Sequence, residues 1–207
     1  ISSGNKNIFI GESAGEHIST ASDNICLGYQ AGNGRNGNGN LFFGWFSGYS
    51  WNGFGNDNIM MGSRAGYKFG AENSRCIFLG RYSGYNTDEN DNIYIGPEFT
   101  GSNASGTKNI FFGFEVGKNW VGSNTLLIDN KNDNASPFIK GNMEDDQLEI
   151  NGSLTVNGPV HQQSANIEST LNLEELTEFP PNPVEGDMIY LNDTLRFYNG
   201  VVWKNLW

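Results

Sequence analysis

Asn7-Ile8-Phe9-Ile10-Gly11, closed by Ala14-Gly15, decides the fold, because the same pattern returns six more times along the chain. It recurs as Asn24-Ile25-Cys26-Leu27-Gly28 with Ala31-Gly32, Asn40-Leu41-Phe42-Phe43-Gly44 with Ser47-Gly48, and Asn58-Ile59-Met60-Met61-Gly62 with Ala65-Gly66. The last three copies are Cys76-Ile77-Phe78-Leu79-Gly80 with Ser83-Gly84, Asn92-Ile93-Tyr94-Ile95-Gly96 with Thr100-Gly101, and Asn109-Ile110-Phe111-Phe112-Gly113 with Val116-Gly117. Cys76 replaces the asparagine once, Pro97 lengthens the sixth copy, and a degenerate eighth copy, Asn124-Thr125-Leu126-Leu127-Ile128, ends the series. The first glycine recurs after 17, 16, 18, 18, 16 and 17 residues. Such a period marks a stacked-repeat architecture.

Each unit reads as a short strand, a glycine turn, a second short extended stretch and a variable polar loop. A unit this small cannot bury its own apolar face, so neighbours must stack. At the ~4.8 Å spacing of strands, seven coils span roughly 30 Å.

Successive strand residues point to opposite faces. Phe9, Cys26, Phe42, Met60, Phe78, Tyr94 and Phe111 therefore face one way, and their apolar neighbours, such as Ile8 and Ile10, the other. Strands apolar on both faces are covered on both faces. One face is expected inside the coil and the other against further chains, so the seven middle residues are assigned to core and trimer packing. A threefold axis is expected because fibrous β-rolls of this kind are commonly trimers. The asparagine before each strand has two readings: local turn chemistry or a ladder stacked along the rod.

Composition agrees with a turn-rich β protein, with 28 glycines and 13% aromatic residues. Lys and Arg number 12 against 23 Asp and Glu, a formal charge of −11, which argues against a nucleic-acid partner. No apolar run approaches the ~20 residues of a membrane helix, and no signal-peptide pattern opens the chain. Cys26 and Cys76 are read as packing residues, with a disulfide as the weaker alternative. His17 and His161 are isolated, and Lys131 interrupts the Asp129–Asn134 run where a calcium-loop ligand would stand. No metal and no cofactor is expected.

Beyond the repeats, 137–141, 147–152 and 153–158 read as short strands ended by Gly or Asn-Gly. Leu171, Leu173 and Leu176 recur at period two within a polar stretch that is either extended or one helical turn. Phe179-Pro180-Pro181-Asn182-Pro183 is an extended connector. From Gly186 to Trp203 the pattern predicts a three-stranded meander whose second turn is an Asn199-Gly200 hairpin. The chain thus divides into a repeat β-roll (1–130), a β-shaft connector (131–178) and a C-terminal β tip module (179–207). The fold class is all-β: a homotrimeric β-roll or β-helix, then a shaft, then a small meander.

The repeat, above all Gly4–Gly11 with Ala14-Gly15, resembles the head repeats of trimeric (YadA-like) autotransporter adhesins. It is closer to the repeats upstream of tail-fibre domains in phages and Bacteroidetes-type proteins. The departure is a longer unit with larger, aromatic core residues. Residues 137–158 resemble the shaft-like connectors of tail fibres, and the Gly186-Asp187, Leu195–Gly200 and Trp203 pattern resembles a small terminal module of such proteins. The resemblance implies a virion tail fibre or an extracellular contractile (injection) particle, or a bacterial cell surface. Its implied partners are an upstream fibre or baseplate protein and a host or target cell-surface glycan or protein.

Catalysis is not expected. Acidic residues cluster in turns such as Asp88–Asp91 and Glu144–Asp146 rather than as a carboxylate pair in a groove, and the chain has no His/Cys cluster. Receptor binding is expected on loop aromatics, which offer flat area at low entropy cost. Trp45, Trp51, Tyr85 and Trp120 lead a set that includes Tyr49, Tyr67 and Phe69, and Tyr198, Trp203 and Trp207 with Tyr190 form a second set near the C-terminus. The competing readings are an adhesin head or a purely structural trimerising spacer or cap, in which these rings only pack.

Overall fold

A computed structural model describes residues 4–34, 37–50, 55–70, 73–131, 136–155, 175–176, 179, 182–183, 188–191 and 194–205. Among them there is no helix, and two compact units divide the chain at residues 155 and 156. In the first unit each repeat contributes one strand: β1 (Ile8–Ile10), β2 (Ile25–Leu27), β3 (Leu41–Phe43), β4 (Ile59–Met61), β5 (Ile77–Leu79), β6 (Ile93–Ile95), β7 (Ile110–Phe112) and β8 (Thr125–Ile128). These pair in parallel and in sequence order, with like repeat positions opposed, as in Phe42 against Met60 and Phe78 against Tyr94. The result is a β-solenoid of about seven turns.

The degenerate eighth copy enters one residue later than its sequence indicates. Leu127, not Leu126, opposes Phe111, and Thr125 stands where Asn109 stands one coil earlier, its N–H donating to Asn109 Oδ1 at 3.0 Å. The sheet does not stop at residue 130. β9 (Ile139–Asn142) pairs antiparallel with β8, and β10 (Gln147–Ile150) with β9, so this hairpin closes the end of the parallel array.

The middle residues of the strands point into the coil. Cys26, Phe42, Met60, Phe78, Tyr94, Phe111 and Leu127 are fully buried, whereas Phe9, with a neighbouring coil on one side only, is partly covered. Phe78, Tyr94 and Phe111 stack with centroids 5.0 and 4.8 Å apart. Each fully buried ring of this kind is worth about 1.5–3 kcal/mol.

The second leg of each repeat is not a strand. It is a run of left-handed corners, with positive φ at Ser13, Gln30, Phe46, Arg64, Tyr82 and Glu115 and at the glycine two residues later. That second glycine is obligatory for a packing reason as well, since a Cβ at Gly15 would lie 2.8 Å from the Phe9 ring, and one at Gly48 2.5 Å from Phe42. Successive coils still bond through these corners, as in Gly48 N–H to Ala65 O and Arg64 N–H to Trp45 O, both 2.8 Å.

The asparagines form a ladder, not a set of turns. Left-handed φ belongs to the residue before each one, such as Lys6, Asp23, Asp57 and Asp91. Asn7 Oδ1 accepts from Asn24 N–H, Asn24 Oδ1 from Asn40 N–H and Asn40 Oδ1 from Asn58 N–H, all at 2.9 Å. Their Nδ2 groups donate to loop carbonyls, Asn58 to Asn73 O at 2.9 Å. Cys76 mimics both halves weakly, donating its thiol to Glu89 O at 3.3 Å and accepting from the backbone of Asn92. Burial pushes its thiol up to about 11 and that of Cys26 to about 12. Both are free, buried thiols.

Replacing Asn58 by leucine leaves the N–H of Cys76 and the carbonyl of Asn73 buried without their partners. At about 1–3 kcal/mol for each stranded group, a thermal melt of the variant is expected well below wild type. An unchanged midpoint would mean that the ladder carries no net stability.

The second unit holds a small sheet. β12 (Met188–Leu191), β13 (Thr194–Tyr198) and β14 (Trp203–Asn205) form the predicted antiparallel meander. β11 (Glu175–Leu176) adds in parallel to β12, which settles the region around Leu176 as extended, while Leu171 and Leu173 lie outside the described residues. The second turn is longer than a two-residue Asn-Gly hairpin. Asn199 Oδ1 accepts from the N–H groups of Val201 and Val202 at 3.1 and 2.9 Å, and pairing resumes only at Trp203.

Candidate binding surface

Two surfaces of the solenoid are chemically distinctive. The first is the outer face of the sheet. Every flanking position of β1 to β7 is Ile, Leu, Met or Phe, and these side chains point away from the core. Ile10 is 60% exposed and Ile8, Phe43, Met61 and Phe112 are exposed as well. Two apolar columns therefore run side by side along the parallel strands.

The second is the corner column after the first glycine, where aromatic residues of neighbouring coils meet. Phe46 is its hub, with Trp45, Tyr49, Tyr29 and Tyr67 edge-on around it at 4.8, 5.2, 5.4 and 5.9 Å. Tyr49, Tyr67 and Tyr85 form a face-to-face stack spaced 5.2 and 5.6 Å. Tyr82 stacks on Phe99 at 4.6 Å. Cations interleave with the rings: the Arg64 guanidinium lies 4.2 Å from the Trp45 centroid, and Arg81 and Lys118 lie 5.0 Å from Tyr82 and Phe99.

This geometry sorts the sequence-predicted aromatics. Trp45 stands in the corner cluster and remains 45% exposed. Tyr85 is in the stack, partly covered, with one ring face on Tyr67. Tyr49 and Phe69, expected on exposed loops, are buried. Phe69 lies seven residues past the first glycine, the position of inward-pointing Ile18, and packs edge-on against Phe78 at 5.4 Å. Trp120 occupies the same position and packs against Phe111 at 6.2 Å. It is therefore a core-lining ring rather than a free surface one. Trp51 and Trp207 lie outside the described residues. In the second unit Trp203 contacts Tyr198 at 5.2 Å and Phe179 at 5.8 Å, and Arg196 lies 5.1 Å from the Phe179 ring. Sequence reasoning missed Tyr29, Phe46 and Arg64; the available signal was that all three fall one or two residues past the first glycine of their repeats.

Gly11-Glu12-Ser13-Ala14-Gly15 fits the Gly-x-Ser-x-Gly pattern of a hydrolase nucleophile elbow, and the sequence-based case against catalysis overlooks it. The elbow requires a strand-to-helix turn beside a histidine. Ser13 instead sits at the ordinary left-handed corner of the first coil (φ 55°), the position held later by Gln30, Phe46 and Arg64. Its two glycines are those of the repeat, His17 is exposed, and no hydrogen bond joins the two side chains. A shallow hollow on the β9–β10 hairpin, lined by Lys140, Asn142, Gln147, Leu148 and Glu149, contains a single carboxylate. Among the described residues no three His, Cys, Asp or Glu side chains converge.

No protein-family model matches the chain, and neither the curated proteins nor the solved structures give a match.

Proposed function

We propose that this chain is a non-catalytic segment of an extracellular attachment fibre, in which three copies pack the outer faces of their sheets around a common axis and present their corners to a cell-surface glycan or protein. The observation that carries the reading is the double apolar column on the outer sheet face. Ile8, Ile10, Phe43, Met61 and Phe112 are 40–60% exposed and the other flanking side chains are partly covered, so the face presents on the order of several hundred Å² of apolar surface, approaching the ~800 Å² per partner of a stable interface. Apolar patches of that size mark interaction sites in proteins that stay in solution. Because like repeat positions recur at every coil, a parallel assembly places identical residues at the same height, which suits a symmetric axis.

Light scattering is expected to give a mass near three times 22.8 kDa. Charging the face with Met61→Glu and Leu79→Glu together is expected to release single chains that keep their β circular dichroism, since neither residue belongs to the core. A stable wild-type monomer would refute the reading; a dimer would retain the face and refute the threefold axis.

A purely structural part is favoured for the Tyr49, Tyr67 and Tyr85 stack of the third to fifth coils, whose rings turn their faces on one another and leave mainly their edges for a ligand.

A further inference from the structure

The corner of the second to fifth coils has a charge imbalance that ring packing does not explain. Arg81 pairs with Glu98, and Lys118 with Glu115 at 2.8 Å. Arg64 has no such partner: among the described residues no carboxylate lies within ion-pair distance of it or of Lys68. The Arg64 guanidinium instead lies against Trp45, is 5.3 Å from the Tyr82 centroid, and donates from Nη1 to Tyr82 Oη. A guanidinium forms up to five hydrogen bonds, so most of its donors remain for another acceptor. Among the described residues the Arg64 charge is therefore balanced by no carboxylate, on a chain of formal charge −11. In the same cluster are its two most exposed rings, Trp45 and Tyr29, the latter 39% exposed.

We infer that this corner binds an anionic saccharide, a sugar bearing a carboxylate, with its ring on Trp45 or Tyr29 and its carboxylate on Arg64. The inference rests on the receptor-binding reading and names its ligand class. A guanidinium flanked by rings is already partly stripped of water, and its planar fork matches a carboxylate in two parallel hydrogen bonds. Flat, rigid aromatic faces supply contact area to a sugar ring at small entropy cost. The acidic balance of the chain disfavours a densely charged acidic peptide, whereas one carboxylate per ring-sized unit suits one guanidinium beside two ring faces.

The test uses the full chain on an array of neutral, sialylated and uronic-acid glycans, followed by titration with sialyllactose, trigalacturonate, the neutral methyl ester of trigalacturonate, and triglutamate. Signals are expected on carboxylated sugars. Arg64→Gln is expected to weaken the binding of the acid by at least about tenfold and to leave the methyl ester unaffected, Arg64→Lys to be intermediate, and Trp45→Ala to weaken both. Arg75→Gln, whose guanidinium pairs with Asp91 on another column, is the control and should bind as wild type; all variants are compared at matched thermal midpoints. Equal binding of acid and ester, equal binding of triglutamate, signals on neutral glycans alone, or no glycan signal would each overturn the inference. Neutral-glycan binding abolished by Trp45→Ala would remove the anionic ligand and leave receptor binding at this corner standing. Cell adsorption indifferent to Trp45→Ala and Arg64→Gln would remove receptor binding at this corner itself.

Discussion

Gly62→Ala is expected to disrupt the solenoid outright, although it adds one methyl group. Gly62 has φ 134°, a region essentially closed to residues with a Cβ. The new Cβ would stand 2.6 Å from Gly80 O and 3.2 Å from Arg81 N of the next coil. Both obstacles are backbone, so no side chain can rotate away. Relief requires the fourth and fifth coils to separate by most of an ångström, at the cost of the bonds from Gly80 N–H to Met61 O (2.8 Å) and from Tyr82 N–H to Ser63 O (3.1 Å). Strain of about 1–3 kcal/mol and about 1 kcal/mol for each lost hydrogen bond consume much of the ~5–15 kcal/mol that holds an ordinary domain. The variant should be recovered insoluble, or melt at least about 10 °C lower, with new protease cleavage near residue 62. Ser63→Ala, its neighbour with an ordinary φ, should behave as wild type. A soluble Gly62→Ala protein with an unchanged melt would show that the coils are not in backbone contact at the glycine column.

Phe78→Ala should produce the second large effect, by creating a cavity rather than a clash. Phe78 is fully buried, stacked 5.0 Å from Tyr94 and edge-on to Phe69. Truncating a buried phenylalanine costs about 3–5 kcal/mol. Nearest-neighbour coupling in a solenoid places the weakness at the fifth coil, so urea unfolding should shift to lower concentration and hydrogen exchange should accelerate first around residues 76–84. Phe78→Leu should recover most of the loss. A cost below about 1 kcal/mol for Phe78→Ala would mean that the middle strand residue is not the inward one.

These two residues also show how far the chain is legible without coordinates. The glycine columns and the apolar strands stand out because each repeat must satisfy the same contact with the next. Any position in contact across coils therefore repeats with the period, as Gly62 and Phe78 do. Cys76 and Thr125 show the limit of such reading, since a ladder that uses one carbonyl oxygen tolerates a thiol, or ends at a hydroxyl residue shifted by one position. The corner aromatics were harder to place. Tyr49, Phe69 and Trp120 look like exposed loop rings in sequence, but corners built from left-handed residues turn some of them inward, and hydrophobic periodicity is silent on left-handed backbone. Arg64 was invisible for a related reason: a lone arginine acquires meaning only when Trp45 from the coil before and Tyr82 from the coil after close around it.

The amino-acid sequence by itself determined that the chain is a stack of seven short β repeats ending in a small antiparallel sheet, because contacts between identical units write themselves as a period. Only the tertiary structure decided which strand face lies inside. Alternation separates two faces but cannot rank them when both are apolar, and the choice follows from the handed corners that fold Gly15, Gly48 and their equivalents over Phe9 and Phe42. The same corners placed Ile8, Ile10 and their successors outside and gathered Tyr29, Trp45 and Arg64 into one surface.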